Sequence, residues 1–199
     1  EELLKAVGCS SSILKAVCER GLLEEYEKTV DRIPTASIPT ALILQPLSDA
    51  QQTAMDQIKD VWREKDVCLL HGVTSSGKTE IYIHLISEML AQGKQVLYML
   101  PEIVLTSQLT DRLRKVFGDR LGVYHSRYTD AERVEVYRKQ ISDNPYDIIV
   151  GVRSSVLLPF HNLGMVIIDE EHETSFKQAE PAPRYHARNV ALVMARMAG

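Results

Sequence analysis

The feature that most restricts what this chain can become is the run VCLLHGVTSSGKTE at residues 67–80. It opens with the apolar residues Val67, Cys68, Leu69 and Leu70, and continues as Gly72, Val73, Thr74, Ser75, Ser76, Gly77, Lys78 and Thr79. G-x-x-x-x-G-K-T between a buried strand and a helix is a phosphate-wrapping loop. A polyphosphate needs inward-pointing backbone N–H groups, and glycine at the sharpest places lets the main chain come that close. Lys78 then reaches the β/γ oxygens, and Thr79 offers its hydroxyl to Mg2+ at the positive end of the following helix. A Gly/Ser-rich loop that merely ends in Lys-Thr is the alternative. The flanks oppose it: the apolar run reads as a strand, and Ile81, Leu85, Ile86, Met89 and Leu90 as the inner face of a helix. The expectation is a nucleoside triphosphate, ATP, bound with Mg2+ by residues 72–79.

Composition sets bounds on the rest. The 199 residues suffice for one sizeable domain and a small appendage, and 45% hydrophobic with 25% charged residues is ordinary for a globular chain. A net charge of −4 means that any nucleic-acid contact must come from a local patch. No run is long enough for a membrane span, so no membrane partner is expected. Cys9, Cys18 and Cys68 have neither disulfide-framework nor zinc-ligand spacing and read as thiols in a reducing compartment. A start at Glu1-Glu2 and a stop just after an apolar helical run fit an excised piece of a longer protein.

Residues 1–33 have a pattern of their own. Leu3, Leu4, Ala6 and Val7 are helically spaced, Gly8 breaks the run, and Ser10 to Ser12 cap a second helix carrying Ile13, Leu14, Val17 and Cys18. Gly21 ends that helix, and Leu22 to Val30 alternate as a strand would. This is the outline of a partial winged helix, a DNA-binding shape. The charges argue the other way: Lys5, Lys15, Arg20, Lys28 and Arg32 are outnumbered by Glu1, Glu2, Glu19, Glu24, Glu25, Glu27 and Asp31. Residues 34–46, with Pro34, Pro39 and Pro46, read as a linker. A new domain, 47–199, begins with a capped helix start at Leu47–Gln52. After Val67 strands are expected at Gln95–Leu100, Leu121–His125, Tyr146–Val152 and Met165–Ile168, with helices at Ile103–Phe117 and Asp130–Ile141. Apolar runs such as VLYML, DIIVGV and MVIID alternating with helices indicate an α/β fold, a parallel sheet covered on both faces.

A phosphate loop needs a partner acid, and the run Met165 to Glu170 supplies two at the end of a buried strand. Asp169 is expected to hold Mg2+ through its hydration shell, and Glu170 to position or deprotonate the water that attacks the γ-phosphate. Lys78, Asp169 and Glu170 are thus the candidate catalytic residues, with Thr79 and Asp169 as the metal pair.

Asp169-Glu170-Glu171-His172 resembles motif II of superfamily 2 helicases. Further stretches resemble the replication-restart helicases of the PriA family: GVTSSGKTEIY at 72–82, LPEIVLTSQ at 100–108, YHSRYTDAER at 124–133, GVRSSVLLPF at 151–160 and ETSFKQAEPAPRYHAR at 173–188. The likeness covers residues 47–199, and more weakly the end of a winged-helix domain at 1–33. It implies a first RecA-like lobe and ATP-driven 3′→5′ unwinding of DNA at stalled forks, in the bacterial cytoplasm at the nucleoid. It also implies single-stranded and forked DNA, single-strand-binding protein and primosome proteins as partners. A second lobe would bring the arginine finger and the family's zinc-binding cysteines, so zinc is expected only there. Ser75 stands where the family usually has glycine.

The resemblance puts Pro101 and Glu102 in a loop beside the DNA backbone and Gly151 to Ser154 in another. Arg153, with Ser154 and Ser155 beside it, suits a phosphate; a surface arginine ending a strand is the alternative. Phe176, Lys177, Gln178, Arg184, Tyr185, His186 and Arg188 interleave rings and cations, as single-strand binding requires. That stretch resembles the aromatic-rich loop coupling DNA to hydrolysis, or is a surface loop whose Phe and Tyr pack the core. His172 senses the strand or the γ-phosphate, or is structural. Gln51 is implied as a reader of the adenine edge, with plain helix polarity as the alternative. Two rival functions stay open: a double-strand translocase that does not unwind, and a DNA-binding module with a vestigial nucleotide site.

Overall fold

The computed structural model describes residues 11–23, 44–73 and 76–199. The chain divides into two units, Glu1–Arg32 and Ile33–Gly199. In the first, helix α1 (Ser11–Glu19) is followed by Gly21 at φ +69, the left-handed turn that glycine tolerates best. The expected helix at Leu3–Val7, nearly all of the strand at Leu22–Val30, and residues 34–43 of the linker lie outside the described residues.

The second unit is built on a sheet of β1 (Gln95–Met99), β2 (Leu121–Tyr124), β3 (Ile148–Gly151) and β4 (Leu163–Ile168). The strands are all parallel in the order β2-β3-β1-β4, with Leu97 opposite both Ile149 and Val166. Helices α2 (Asp49–Trp62), α3 (Lys78–Ala91), α4 (Ser107–Phe117), α5 (Asp130–Gln140) and α6 (Ala187–Ala198) complete it. Their starts follow side-chain chemistry. Ser48 and Gln51 form a reciprocal capping box on α2, and Thr129 and Glu132 do the same on α5.

Successive strand residues point to opposite faces, so one sheet fills two cores. Val96, Tyr98, Val123, Ile148, Val150 and Ile167 pack with Met55, Ile58, Ile81, Leu85 and Leu113 on one side. Leu97, Met99, Ile149 and Leu163 pack with Val136, Val156, Phe176, Ala187 and Ala191 on the other. The doubly covered α/β sheet expected from the apolar runs is what forms. A one-residue irregularity pairs Gln95 with Leu163 but Val96 with Met165, which turns Leu163 and Met165 to opposite faces. Gly164 sits at that step, and a Cβ there would lie 2.6 Å from Cβ of Lys94.

Two expected elements come out differently. Val67–Leu70 is not a strand: Cys68 and Leu70 pack on the first core, but Val67 and Leu69 are 60% and 73% exposed. The period-2 alternation is there, yet no ladder bond joins this run to another strand among the described residues, and a strand is defined by its partner. The helix expected from Ile103 begins only at Ser107, where the Thr106 hydroxyl accepts from the Leu109 N–H. Residues 101–105 instead close a turn in which Val104 and Leu105 donate to the Pro101 carbonyl, leaving Ile103 84% exposed. Among the described residues no helix is long and apolar enough to cross a membrane.

Candidate nucleotide and nucleic-acid site

The loop reaches α3 through Gly77, which holds φ +82 at the helix N-cap. Only glycine adopts that conformation without strain. A Cβ on Gly77 would also lie 2.3 Å from Nε2 of Gln51. Gln51 tethers α2 to the loop: its Nε2 donates to the Gly77 carbonyl at 3.2 Å, while its Oε1 accepts from the Ser48 N–H at 2.9 Å. Both ends of the amide implied as an adenine reader are therefore engaged within the protein. Ser76 closes the loop by donating its N–H to the Val73 carbonyl, and Gly72 lies where a Cβ would meet Oγ of Ser76 at 2.9 Å. Thr74 and Ser75 lie outside the described residues.

Lys78 and Thr79 occupy the first turn of α3, at the electropositive end of the helix. Nζ of Lys78 donates to the Gly72 carbonyl at 2.7 Å and stands 3.9 Å from Oε1 of Glu170. Glu80, the next residue, is paired with Arg112 of α4. Opposite the lysine, β4 delivers its acids. The Asp169 N–H still bonds the Met99 carbonyl, so Asp169 is the last residue tied to the sheet. Glu170 then takes φ +48, a left-handed value for a residue with a side chain, and turns the chain out. That conformation costs on the order of 1 kcal/mol and marks a position over-determined by its surroundings. Its result is that Glu170 faces Lys78 while Asp169 stays buried.

Asp169 is held on both oxygens. Oδ2 accepts from the Tyr98 hydroxyl at 3.2 Å and Oδ1 from the Glu170 N–H at 3.1 Å. Burial pushes its carboxyl above the usual range, the Glu170 charge adds to this, and the Tyr98 bond and Lys78 pull back. Burial likewise raises the Tyr98 and Tyr82 phenols far above their ordinary values, so both remain O–H donors. The two rings meet edge to face with centroids 5.6 Å apart. Sequence reasoning passed over Tyr98 and Tyr82. The signal was a hydroxyl within the continuous apolar run VLYML, because a buried phenol requires a partner.

The turn after β4 is strapped from two sides. Glu171 pairs with Arg188 of α6 at 2.5 Å, and Arg153 donates to the carbonyls of Ser175 at 3.4 Å and Lys177 at 3.2 Å. Arg153, expected to meet phosphate, thus spends part of its guanidinium on the protein, although its buried Nε has no partner. Ser154 beside it is half-buried. His172 is exposed, with Nε2 3.9 Å from Oε2 of Glu170. Pro101 is buried and Glu102 exposed just beyond β1.

Residues 177–186 double back: Lys177 bridges His186, and the Gln178 N–H donates to the Tyr185 carbonyl at 2.9 Å. Exposed Lys177 and Arg184 line one concavity with Gln178, Ala179 and Glu180. Tyr185 is half-buried against the second core. Phe176 corrects an expectation. At 0% exposure it is a core side chain, so its ring cannot stack on a base in this arrangement. An aromatic next to a lysine looks the same in sequence whether it faces solvent or the sheet.

A buried acid, a second acid facing a helix-terminal lysine, and a glycine cradle admit a polyphosphate with its cation. A family model described as DEAD/DEAH box helicase matches residues 48–196. The chain is 43% identical over 194 residues to the replication restart protein PriA of Bacillus subtilis, covering 96% of this chain and 24% of the relative. To the same-named protein of Synechocystis it is 40% identical over 190 residues, covering 96% and 23%. To that of Rickettsia felis it is 40% identical over 182 residues, covering 92% and 27%. The chain spans about a quarter of the length of these curated relatives. It belongs to the DEAD/DEAH box helicase family.

Proposed function

We propose that this chain is the nucleotide-binding lobe of an ATP-dependent DNA helicase that unwinds 3′→5′ and acts in the restart of stalled replication forks. The observation that carries the reading is the meeting of Lys78 with the acidic end of β4, Nζ 3.9 Å from Glu170, with Asp169 buried next to it. The amides of 72–79 would cradle the phosphates, and Lys78 would leave the Gly72 carbonyl for the β/γ oxygens. Thr79 and Asp169 would hold Mg2+, which when bound neutralises charge developing on those oxygens. Among the described residues no cluster of three or more His, Cys, Asp or Glu could hold a metal. Glu170 would orient or deprotonate the attacking water. A second lobe is needed to close the cleft, so the lobe alone is expected to bind Mg-ATP weakly.

Replication restart comes from the names of the relatives, and forked and single-stranded DNA, single-strand-binding protein and primosome proteins are the partners it implies. A cytoplasmic, nucleoid-associated site of action goes with it. On the DNA side we assign the turn at Pro101 and Glu102, then Arg153 and Ser154, His172, and the exposed Lys177, Arg184 and Tyr185. Phe176 is assigned a coupling role through packing rather than stacking.

The test uses the intact protein. Lys78→Ala is expected to lower ATP turnover by roughly 100-fold or more and to abolish strand separation on a forked duplex. Retained turnover would leave the nucleotide site vestigial. Hydrolysis and movement along DNA without strand separation by the unaltered protein would favour a translocase instead.

A further inference from the structure

We propose that Tyr98 is a positioning residue for the metal-binding carboxylate, acting through its hydroxyl on Asp169. The inference rests on the nucleotide reading above and deepens it. Tyr98 lies in β1, the strand paired on both sides, opposite Val150 of β3 and Ile167 of β4. It is wholly buried, in an apolar core where a phenylalanine of the same shape would need no partner. The hydroxyl finds its acceptor in Oδ2 of Asp169. The Glu170 N–H takes Oδ1, so one donor on each oxygen fixes the plane of the carboxylate. Each oxygen retains lone-pair capacity for a water of the metal shell.

The same ring is braced from the other half of the site. Tyr82, one turn into α3 beyond Lys78 and Thr79, meets Tyr98 edge to face. The contacts therefore run from the phosphate-loop helix through Tyr82 and Tyr98 to the acid. Two buried rings thus link the helix that carries Lys78 and Thr79 to the acid at the end of β4. Outer partners of this kind orient a ligand without touching the ion, and their loss weakens metal binding while the fold persists.

The experiment is Tyr98→Phe in the intact protein, which keeps the ring and removes one oxygen. The probe is mant-ADP, titrated at equilibrium with and without Mg2+. The Mg2+ concentration at half-saturation is expected to rise roughly tenfold, with affinity for the metal-free nucleotide unchanged, and added Mg2+ is expected to restore ATP turnover. An unchanged Mg2+ midpoint overturns the proposal. So does an equal loss of affinity with and without metal, which a purely structural role would produce. If Tyr98→Phe lowers the yield of folded protein, metal rescue of turnover in the soluble fraction decides: no rescue overturns the proposal. Lys78→Ala run alongside separates the two ideas. If it leaves mant-ADP binding intact, the nucleotide reading itself fails. If it removes binding while Tyr98→Phe is silent, only the tyrosine's role is lost.

Discussion

The two walls of the candidate site are built differently. At the end of β4 every acid has a partner: Asp169 on Tyr98 and a backbone N–H, Glu170 facing Lys78 and His172, Glu171 on Arg188. The approach to the phosphate loop, residues 67–73, has no ladder bonds, and Val67, Leu69 and Val73 face solvent. Among the described residues its ties are the packing of Cys68 and Leu70 on the first core, the Lys78 ammonium on Gly72 and Val73, the Ser76 N–H on Val73 and the Gln51 amide on Gly77. A wall anchored in a buried sheet resists movement, whereas one without ladder bonds, held by two half-buried side chains and a few polar contacts, can rearrange around a ligand. On the proposed reading the acid wall would be the fixed reference and the loop the part that adapts to phosphate.

The largest effect is expected at the acid wall. Asp169→Asn is expected to abolish Mg-dependent ATP hydrolysis and at the same time to raise the melting temperature at neutral pH by a few degrees. Burial raises the Asp169 carboxyl above its unfolded value, so the folded state binds its proton more tightly than the unfolded state does. The ionised group therefore subtracts stability as pH rises from the unfolded to the folded pKa, and subtracts it fully above. The gain from asparagine should shrink as pH falls back through that range. Calorimetry of both proteins across acid and neutral pH would show it, and a gain constant with pH would mean the acid is not strained by burial.

On the loop side, Gly77→Ala asks whether the tether is as local as its geometry implies. A left-handed φ with a side chain costs about 1–2 kcal/mol, and the new Cβ would displace the Gln51 amide. Nucleotide affinity should fall about tenfold while β1 and β4 keep their hydrogen-exchange protection. Loss of protection in the strands would show that the two walls are one cooperative unit. The smallest effect is expected from Arg188→Ala. In the Glu171–Arg188 pair, Arg188 is 40% and Glu171 37% exposed, and such pairs contribute roughly 0–1 kcal/mol. Thermal unfolding should shift by no more than a few degrees. A larger shift would make this strap, rather than the sheet, the anchor of the turn after β4.

Much of this was readable from the linear chain, for a physical reason. Gly77 and Lys78 carry their chemistry in residue type and spacing, since a backbone that must approach phosphate admits few alternatives to glycine. The runs VLYML, DIIVGV and MVIID point to buried parallel strands, because short continuous apolar runs rich in β-branched residues that alternate with helical patterns fit a sheet covered on both faces. Ser48 with Gln51 and Thr129 with Glu132 announce helix starts, because a capping box is satisfied within four residues. Local periodicity and short-range hydrogen bonding are properties of the sequence itself.

Other features depended on which residues meet across the sheet, and no local pattern encodes that. Val67–Leu70 has the alternation of a strand, but pairing belongs to two segments at once. Phe176 beside Lys177 suited a stacking surface until packing against Leu97 and Met99 put the ring in the core. Nothing in the sequence around Arg153 shows that part of its guanidinium donates to the carbonyls of Ser175 and Lys177. The bond from Tyr98 to Asp169 joins residues 71 positions apart. The chain alone determined an α/β fold and pointed to Lys78, Asp169 and Glu170 as the candidate nucleotide site. Only the tertiary structure decided which groups hold those acids in place, because desolvation and partner choice are set by the packed interior.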